Sequence, residues 1–230
     1  MSVEALHRIA EALPKVELHR HLEGSVRLQT LIAIAQEYGM EMPEYDAEML
    51  RPFVQMMPNE QRDWQHFLAK FATIRQYFRS PEAIDRITRE AVIDAARENV
   101  RYMELRFTPK ALSTVTKAPP QEVITWVCKA AQESAAENNI EVRLIVSMNR
   151  HESITFGEQV LDAVLACDGY GIVGVDLAGQ EAGFPATLFR PVFLRAKAAG
   201  LGVTIHAGEW QGADSVWDAI GNLAADRVGH

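Results

Sequence analysis

Short apolar runs alternate with longer stretches of helical spacing along nearly the whole chain, and no two runs are joined by a hairpin signal. The runs cover 16–22 (VELHRHL), 100–108 (VRYMELRFT), 141–148 (EVRLIVSM), 172–178 (IVGVDLA) and 201–206 (LGVTIH), and a sixth begins at Arg227 (RVGH). Between them, apolar residues recur at i, i+3 and i+4, the period of a helix packed on one face. Strands separated by helix-length crossovers pair in parallel, so the fold class is α/β. Helix boundaries agree with this. Ser80-Pro81-Glu82 supplies a cap, a proline for the first turn and an acid at the positive end of the dipole, and Asn99 supplies a stop. Further helices are expected over 27–38, 119–138, 156–167, 191–199 and 213–225.

A doubly wound sheet and a (β/α)8 barrel both produce such a rhythm. No GxGxxG turn follows the first run, which weakens the nucleotide-binding sheet. Polar residues at strand ends (His19, His21, Thr108 and His206) suit a TIM-type barrel, whose sites gather there. The expectation is one barrel domain over 1–230, interrupted at 40–79 by an insertion rich in Met, Pro and aromatics, including Trp64, Phe67, Leu68 and Phe71. That insertion reads equally as a lid over the strand ends or as packing against the barrel. A full barrel takes about 250 residues. Five βα steps and one strand are legible here, so the barrel is expected to be incomplete, about strands 1–6, with open strand edges and a C-terminal portion absent.

Composition narrows the function classes. With 48% hydrophobic and 23% charged residues, the chain is an ordinary globular one rather than a disordered one. Its 23 Lys+Arg against 31 Asp+Glu, a net charge of −8, argue against a nucleic-acid surface. No apolar run approaches the roughly 20 residues of a membrane span, and the N-terminus lacks the order of a secretory signal. Cys128 and Cys167 are too few for a disulfide framework and read as buried thiols, which points to the cytoplasm. Oligomeric state leaves no trace.

Chemistry concentrates at the strand ends. His19 and His21 are i and i+2 on one strand, so both imidazoles face one point, while Val16, Leu18 and Leu22 face the opposite layer. Imidazole is the common ligand for zinc and similar metals, although two exposed histidines also fall this way by chance. His206 ends another strand and could supply a third nitrogen. Glu209 just beyond it is placed for general acid/base work or as a cap for the next helix. His230 could reach the same mouth. Gly179 ends the fourth run, where its amide is a candidate donor or simply part of a turn. His7, His66 and His151 read as surface or loop residues. No lysine lies between Lys129 and Lys197 to bridge two metals at the fourth strand, which favours one metal.

Four segments together resemble the adenosine/adenine deaminase family: Leu13-Pro14-Lys15-Val16-Glu17-Leu18-His19-Arg20-His21-Leu22-Glu23-Gly24, Gly174-Val175-Asp176-Leu177-Ala178-Gly179, His206-Ala207-Gly208-Glu209 and Arg227-Val228-Gly229-His230. Phe67-Leu68-Ala69-Lys70-Phe71 resembles the family's lid helix. The resemblance implies a mononuclear zinc hydrolase on a (β/α)8 barrel, with one Zn2+ per chain and a small purine as substrate. His19, His21 and His206 match zinc ligands, Glu209 the proton donor to purine N1, and His230 the histidine that orients the attacking water. Gly179 matches a backbone contact to purine N3. Phe67 and Phe71 match the cover over the substrate. Gly229-His230 and Glu104-Leu105-Arg106-Phe107-Thr108-Pro109 look like the adenosine branch. Glu23, however, stands where many adenosine deaminases carry an Asp that contacts the ribose 5′-hydroxyl. The resemblance therefore implies deamination of adenosine and 2′-deoxyadenosine, with adenine or another 6-aminopurine as the alternative. The family's later Asp-Asp motif, one aspartate completing the zinc site and the other contacting purine N7, has no counterpart up to His230. A catalytically silent zinc-binding barrel is the alternative of another class.

Overall fold

In a computed structural model, residues 2–42, 45–167 and 169–230 are described; residues 43 and 44 of the 40–79 insertion, with residues 1 and 168, lie outside them. The chain opens with α1 (Val3–Ala12), β1 (Lys15–His21) and α2 (Leu28–Glu37), and the insertion contributes α3 (Ala47–Val54) and α4 (Trp64–Arg75). Then come α5 (Pro81–Arg97), β2 (Val100–Phe107), α6 (Pro109–Thr116), α7 (Pro120–Asn138), β3 (Glu141–Asn149) and α8 (Ile154–Ala166). The last third holds β4 (Ile172–Ala178), α9 (Arg190–Ala198), β5 (Gly202–Ile205), α10 (Ala213–Leu223) and β6 (Arg227–Val228).

The six strands form one parallel sheet in the order β1-β2-β3-β4-β5-β6. Sequential order is that of a barrel wound in one direction; a doubly wound sheet reverses direction at a switch point. The architecture is therefore an incomplete (β/α)8 barrel. Every expected strand and helix is present with ends shifted by at most about two residues. Ser80 caps α5 by accepting from the Ala83 amide at 3.2 Å, and Asn99 takes the left-handed conformation that ends it. Three helices, α1, α3 and α6, go beyond the expected set. Ser2 caps α1, and α6 begins on Pro109, a first-turn proline at the end of β2.

The core is continuous from the helical layer to the sheet. Ile84, Ile87 and Val92 of α5 and Val123, Val127 and Ala131 of α7 are buried with Leu105, Phe107 and Leu144 of the strands. The outer face of β1 departs from expectation. Leu22 is buried, but Val16 and Leu18 are 65% and 43% exposed, because β1 is an edge of the sheet and no described helix lies over them. Cys128 is buried as expected. Cys167 is only partly buried, because α8 ends just before it. Among the described residues no helix is long and apolar enough to cross a membrane.

Candidate metal centre

Three imidazoles converge where the strands end. His19 and His21 project from β1, whose pairing with β2 shifts register between Glu17 and Arg20, and His206 stands one residue beyond β5. Such irregularities re-aim side chains beside sites. The Nε2 atoms of His19, His21 and His206 lie 3.1 Å from one another on every side. Three nitrogens at tetrahedral positions about 2.0–2.1 Å from a metal would stand about 3.3 Å apart, so the triangle fits an ion with its fourth position open.

Protonation favours the same reading. Burial, then the charges of Arg106 and His206, push His19 down to about 3, and burial with the His206 charge pushes His21 down to about 2. Both rings are neutral at ordinary pH, the form that ligates. Asp176 of β4 orients the third ring. Its carboxylate accepts from His206 Nδ1 at 3.1 Å, Ser147 Oγ at 3.0 Å and Thr204 Oγ1 at 2.8 Å, with Arg106 Nη1 at 3.3 Å. Complete burial pushes this carboxyl up, but His206 and Arg106 outweigh it and hold it well below the usual range. With Nδ1–H committed to Asp176, the lone pair of His206 Nε2 points at the cluster. From behind, the buried Arg150 guanidinium donates to the His206 carbonyl oxygen.

Glu209 and His230 complete one side. The His230 ring packs against His19 and His206, with centroids 4.6 and 4.8 Å away, and its Nε2 lies 3.6 Å from Glu209 Oε1. The nearby Glu209 carboxylate raises the His230 pKa. Glu209 does not cap α10, whose N-cap is Gly212 and whose first amides bond no side chain.

These groups face a cavity of about 340 Å³, at the small end of the range that holds cofactor-sized ligands. Gly179, Thr108, His21, His206, Glu209 and His230 line it from the sheet side, and Trp64, Phe67, Leu68 and Phe71 line it from α4. Phe71 meets His21 edge-on at 6.4 Å, and Phe67 lies 5.2 Å from Phe71 and 6.0 Å from Trp210. Gly179 has φ +86, and a Cβ there would come within 2.7 Å of His151 Nδ1, so both conformation and space call for glycine.

One expected ligand contact is placed differently. Glu23 is 1% exposed and does not line the cavity; its Oε1 accepts from the Thr108 amide at 2.8 Å. The carboxylate is occupied by a backbone N–H at the end of β2, while Oε2 is buried without a partner. His151, expected as a surface or loop residue, lies in the loop after β3, where it lines the cavity and its Nδ1 accepts from the Gln180 amide at 3.1 Å. His7 is exposed, and His66 sits on the outer side of α4 against Asp63 at 2.8 Å. Sequence reasoning also passed over Asn149 and Trp210, although Asn149 ends β3 and Trp210 lies in the loop after β5, where that signal lay.

Comparison with known proteins gives a consistent picture. The family model described as adenosine deaminase matches residues 14–230. The adenosine deaminase of Klebsiella pneumoniae subsp. pneumoniae is 39% identical over 225 residues, covering 96% of this chain and 66% of that protein. The chain thus spans 66% of the length of that curated relative. Among solved structures, an amidohydrolase from Burkholderia ambifaria with bound Zn superimposes with a TM-score of 0.87 at 29% identity, covering 99% of this chain and 62% of the other. The adenine deaminase from Arthrobacter aurescens gives 0.83 at 29% identity, covering 94% and 64%.

Proposed function

The chain belongs to the adenosine deaminase family, and from that premise we propose that it serves the zinc-dependent hydrolysis of adenosine and 2′-deoxyadenosine to inosine, 2′-deoxyinosine and ammonia. The observation that carries this reading is the convergence of three imidazole nitrogens with the Glu209–His230 pair on one cavity wall. His19, His21 and His206 would hold the metal. A bound zinc ion supplies a water nucleophile usable at neutral pH, since it lowers the pKa of water toward about 7.

The chain's own residues do the rest. His230, braced by Glu209, orients the attacking water on the face of the purine ring that carries C6. Glu209 delivers a proton to N1 as the water oxygen bonds to C6, so the ring accepts the electron pair. The proton that the water gives up passes to His230 and from it to the amino nitrogen. The C6–N bond breaks and ammonia leaves, and the remaining hydroxyl proton returns to Glu209 as the carbonyl forms at C6. The Gly179 amide donates to N3 and fixes the base in its plane. Phe67 and Phe71 cover it, with 40–79 acting as a lid that keeps bulk water out. The two free cysteines suit a reducing, cytoplasmic setting.

Adenine is the second reading, and Glu23 favours it. At the position matched to ribose recognition, the carboxylate stays behind Thr108 instead of facing the cavity. Ammonia release from adenosine and from adenine, measured on one preparation with its zinc content, tests both. Faster release from adenosine supports the first reading, and release from adenine alone replaces it with the second. Bound zinc with neither activity assigns the chain to the silent zinc-binding class.

A further inference from the structure

Glu209 sits in a short loop whose backbone is held by one buried carboxylate. Glu181, in the segment after β4, is only 5% exposed. Its Oε1 accepts from the Gly208 amide at 2.7 Å and from the Ser215 hydroxyl; its Oε2 accepts from the amides of Trp210 at 2.7 Å and Gln211 at 3.0 Å. The peptide is thus gripped on both sides of Glu209, while the Glu209 side chain is left to face the cavity.

The grip extends to the next helix. α10 begins after Gly212, an N-cap with no side chain to satisfy the first amides. Glu181 does not bond those amides, but it accepts from the Ser215 hydroxyl of the first turn, and its charge suits the positive end of the helix dipole. Gly208 removes the remaining slack: φ is +82, and a Cβ would come within 2.9 Å of Val216. Arg150, which holds the His206 carbonyl, also faces Glu181 electrostatically. Two opposite buried charges therefore fix consecutive parts of one segment, the ligand His206 and the acid Glu209.

We propose that Glu181 is a positioning residue that aims Glu209 at the substrate and Trp210 at α4, by anchoring the backbone of residues 208–211. The proposal rests on the deaminase reading for its catalytic consequence, and on the hydrogen bonds alone for the anchoring. Glu181→Gln keeps the size of the side chain but cannot accept four hydrogen bonds. In the zinc-loaded protein it should lower kcat by about 10- to 100-fold, with KM within about threefold and zinc content unchanged, since a misplacement near 1 Å costs rates of this order. Ser215→Ala, which removes one donor and no amide contact, should cost kcat no more than about threefold by the same argument. If Glu181→Gln does not fold, Glu181→Asp, one methylene shorter, reads the same quantities with a smaller loss. Backbone hydrogen exchange over 208–211 is followed in the same variants. Faster exchange there with β1 and β5 unchanged supports the anchor. An unchanged kcat with unchanged exchange overturns it, as does a kcat loss that merely follows zinc loss. If wild-type protein deaminates no aminopurine, the functional reading fails, and the exchange comparison still decides the anchor.

Discussion

The two sides of the cavity are built on opposite terms. On the sheet side the groups that hold the site are buried and tied: Asp176 holds His206 among several other donors, Glu23 takes the Thr108 amide, and Glu181 takes the 208–211 loop. On the other side, α4 buries only Ile74 of its own residues. It is moored by Lys70, whose Nζ reaches the Pro52 carbonyl and Glu60, and by the aromatic contacts that Phe67 and Phe71 make over the cavity. Groups that must meet a transition state need fixed geometry, whereas a cover must open and close at low cost, so low local stability is suited to it. The contrast teaches that chemistry and access are assigned to separate parts of the chain.

The contrast can be broken at its strongest point first. Glu209→Gln should reduce kcat by about 10²- to 10⁴-fold with zinc content unchanged, as expected for loss of a general acid. Retained turnover, measured by ammonia release, would remove Glu209 from the reaction. Asp176→Asn should come next. It replaces the carboxylate that orients His206 and should weaken metal affinity by about 10- to 100-fold, read by competition with a chelator. If affinity is unchanged, the tautomer is set elsewhere. Phe71→Ala on α4 should act differently in kind, raising KM by about tenfold, equivalent to about 1.4 kcal/mol of lost apolar cover, while kcat stays within about threefold. A large kcat loss there would mean that α4 belongs to the chemical machinery and that the division between the two sides is false.

Much of this was legible before any coordinates. Period-two alternation places His19 and His21 on one face, and three strand-end positions, His19, His21 and His206, are enough to nominate a common point. The sequential strand order follows from the crossovers. What stays hidden depends on partners distant in the chain. Glu181 bonds residues 27 to 34 positions away, mostly backbone amides that carry no sequence signature. Asp176 lies within an apolar run, where an aspartate signals no particular partner. Glu23 is misleading for a related reason. A carboxylate just after a strand end resembles a ligand contact, but whether a neighbouring amide has already claimed it depends on the register of β1 against β2. Local pattern thus yields the donors that point into the cavity, and tertiary packing decides the groups that hold them.

The smallest expected effect concerns acid stability, and it compares one carboxylate from each side. Burial alone would push Glu181 up, but hydrogen bonds from Ser215, Trp210 and Gly208 and the charge of Arg150 hold it below its ordinary value of 4.5. Glu60, in the insertion, is lowered by its hydrogen bond to Lys70, in a pair that is only partly buried. A carboxylate depressed in the folded state contributes stability that is fully present above its unfolded pKa and is lost as pH falls through the folded one. Glu181→Gln should therefore lower the urea midpoint at pH 7, and the gap to wild type should narrow as pH falls below about 4.5. The groups facing Glu181 limit this to one dominant partner, since Arg150 stays charged throughout and Asp214 and Asp218 line the adjoining depression without bonding to it. Glu60→Gln should change the midpoint less at every pH, because Glu60 makes one ion pair that solvent still reaches, whereas Glu181 bonds three backbone amides. Equal pH dependence in the two variants would show that the sheet side is no more firmly tied than α4, and the comparison would fail on its weakest test.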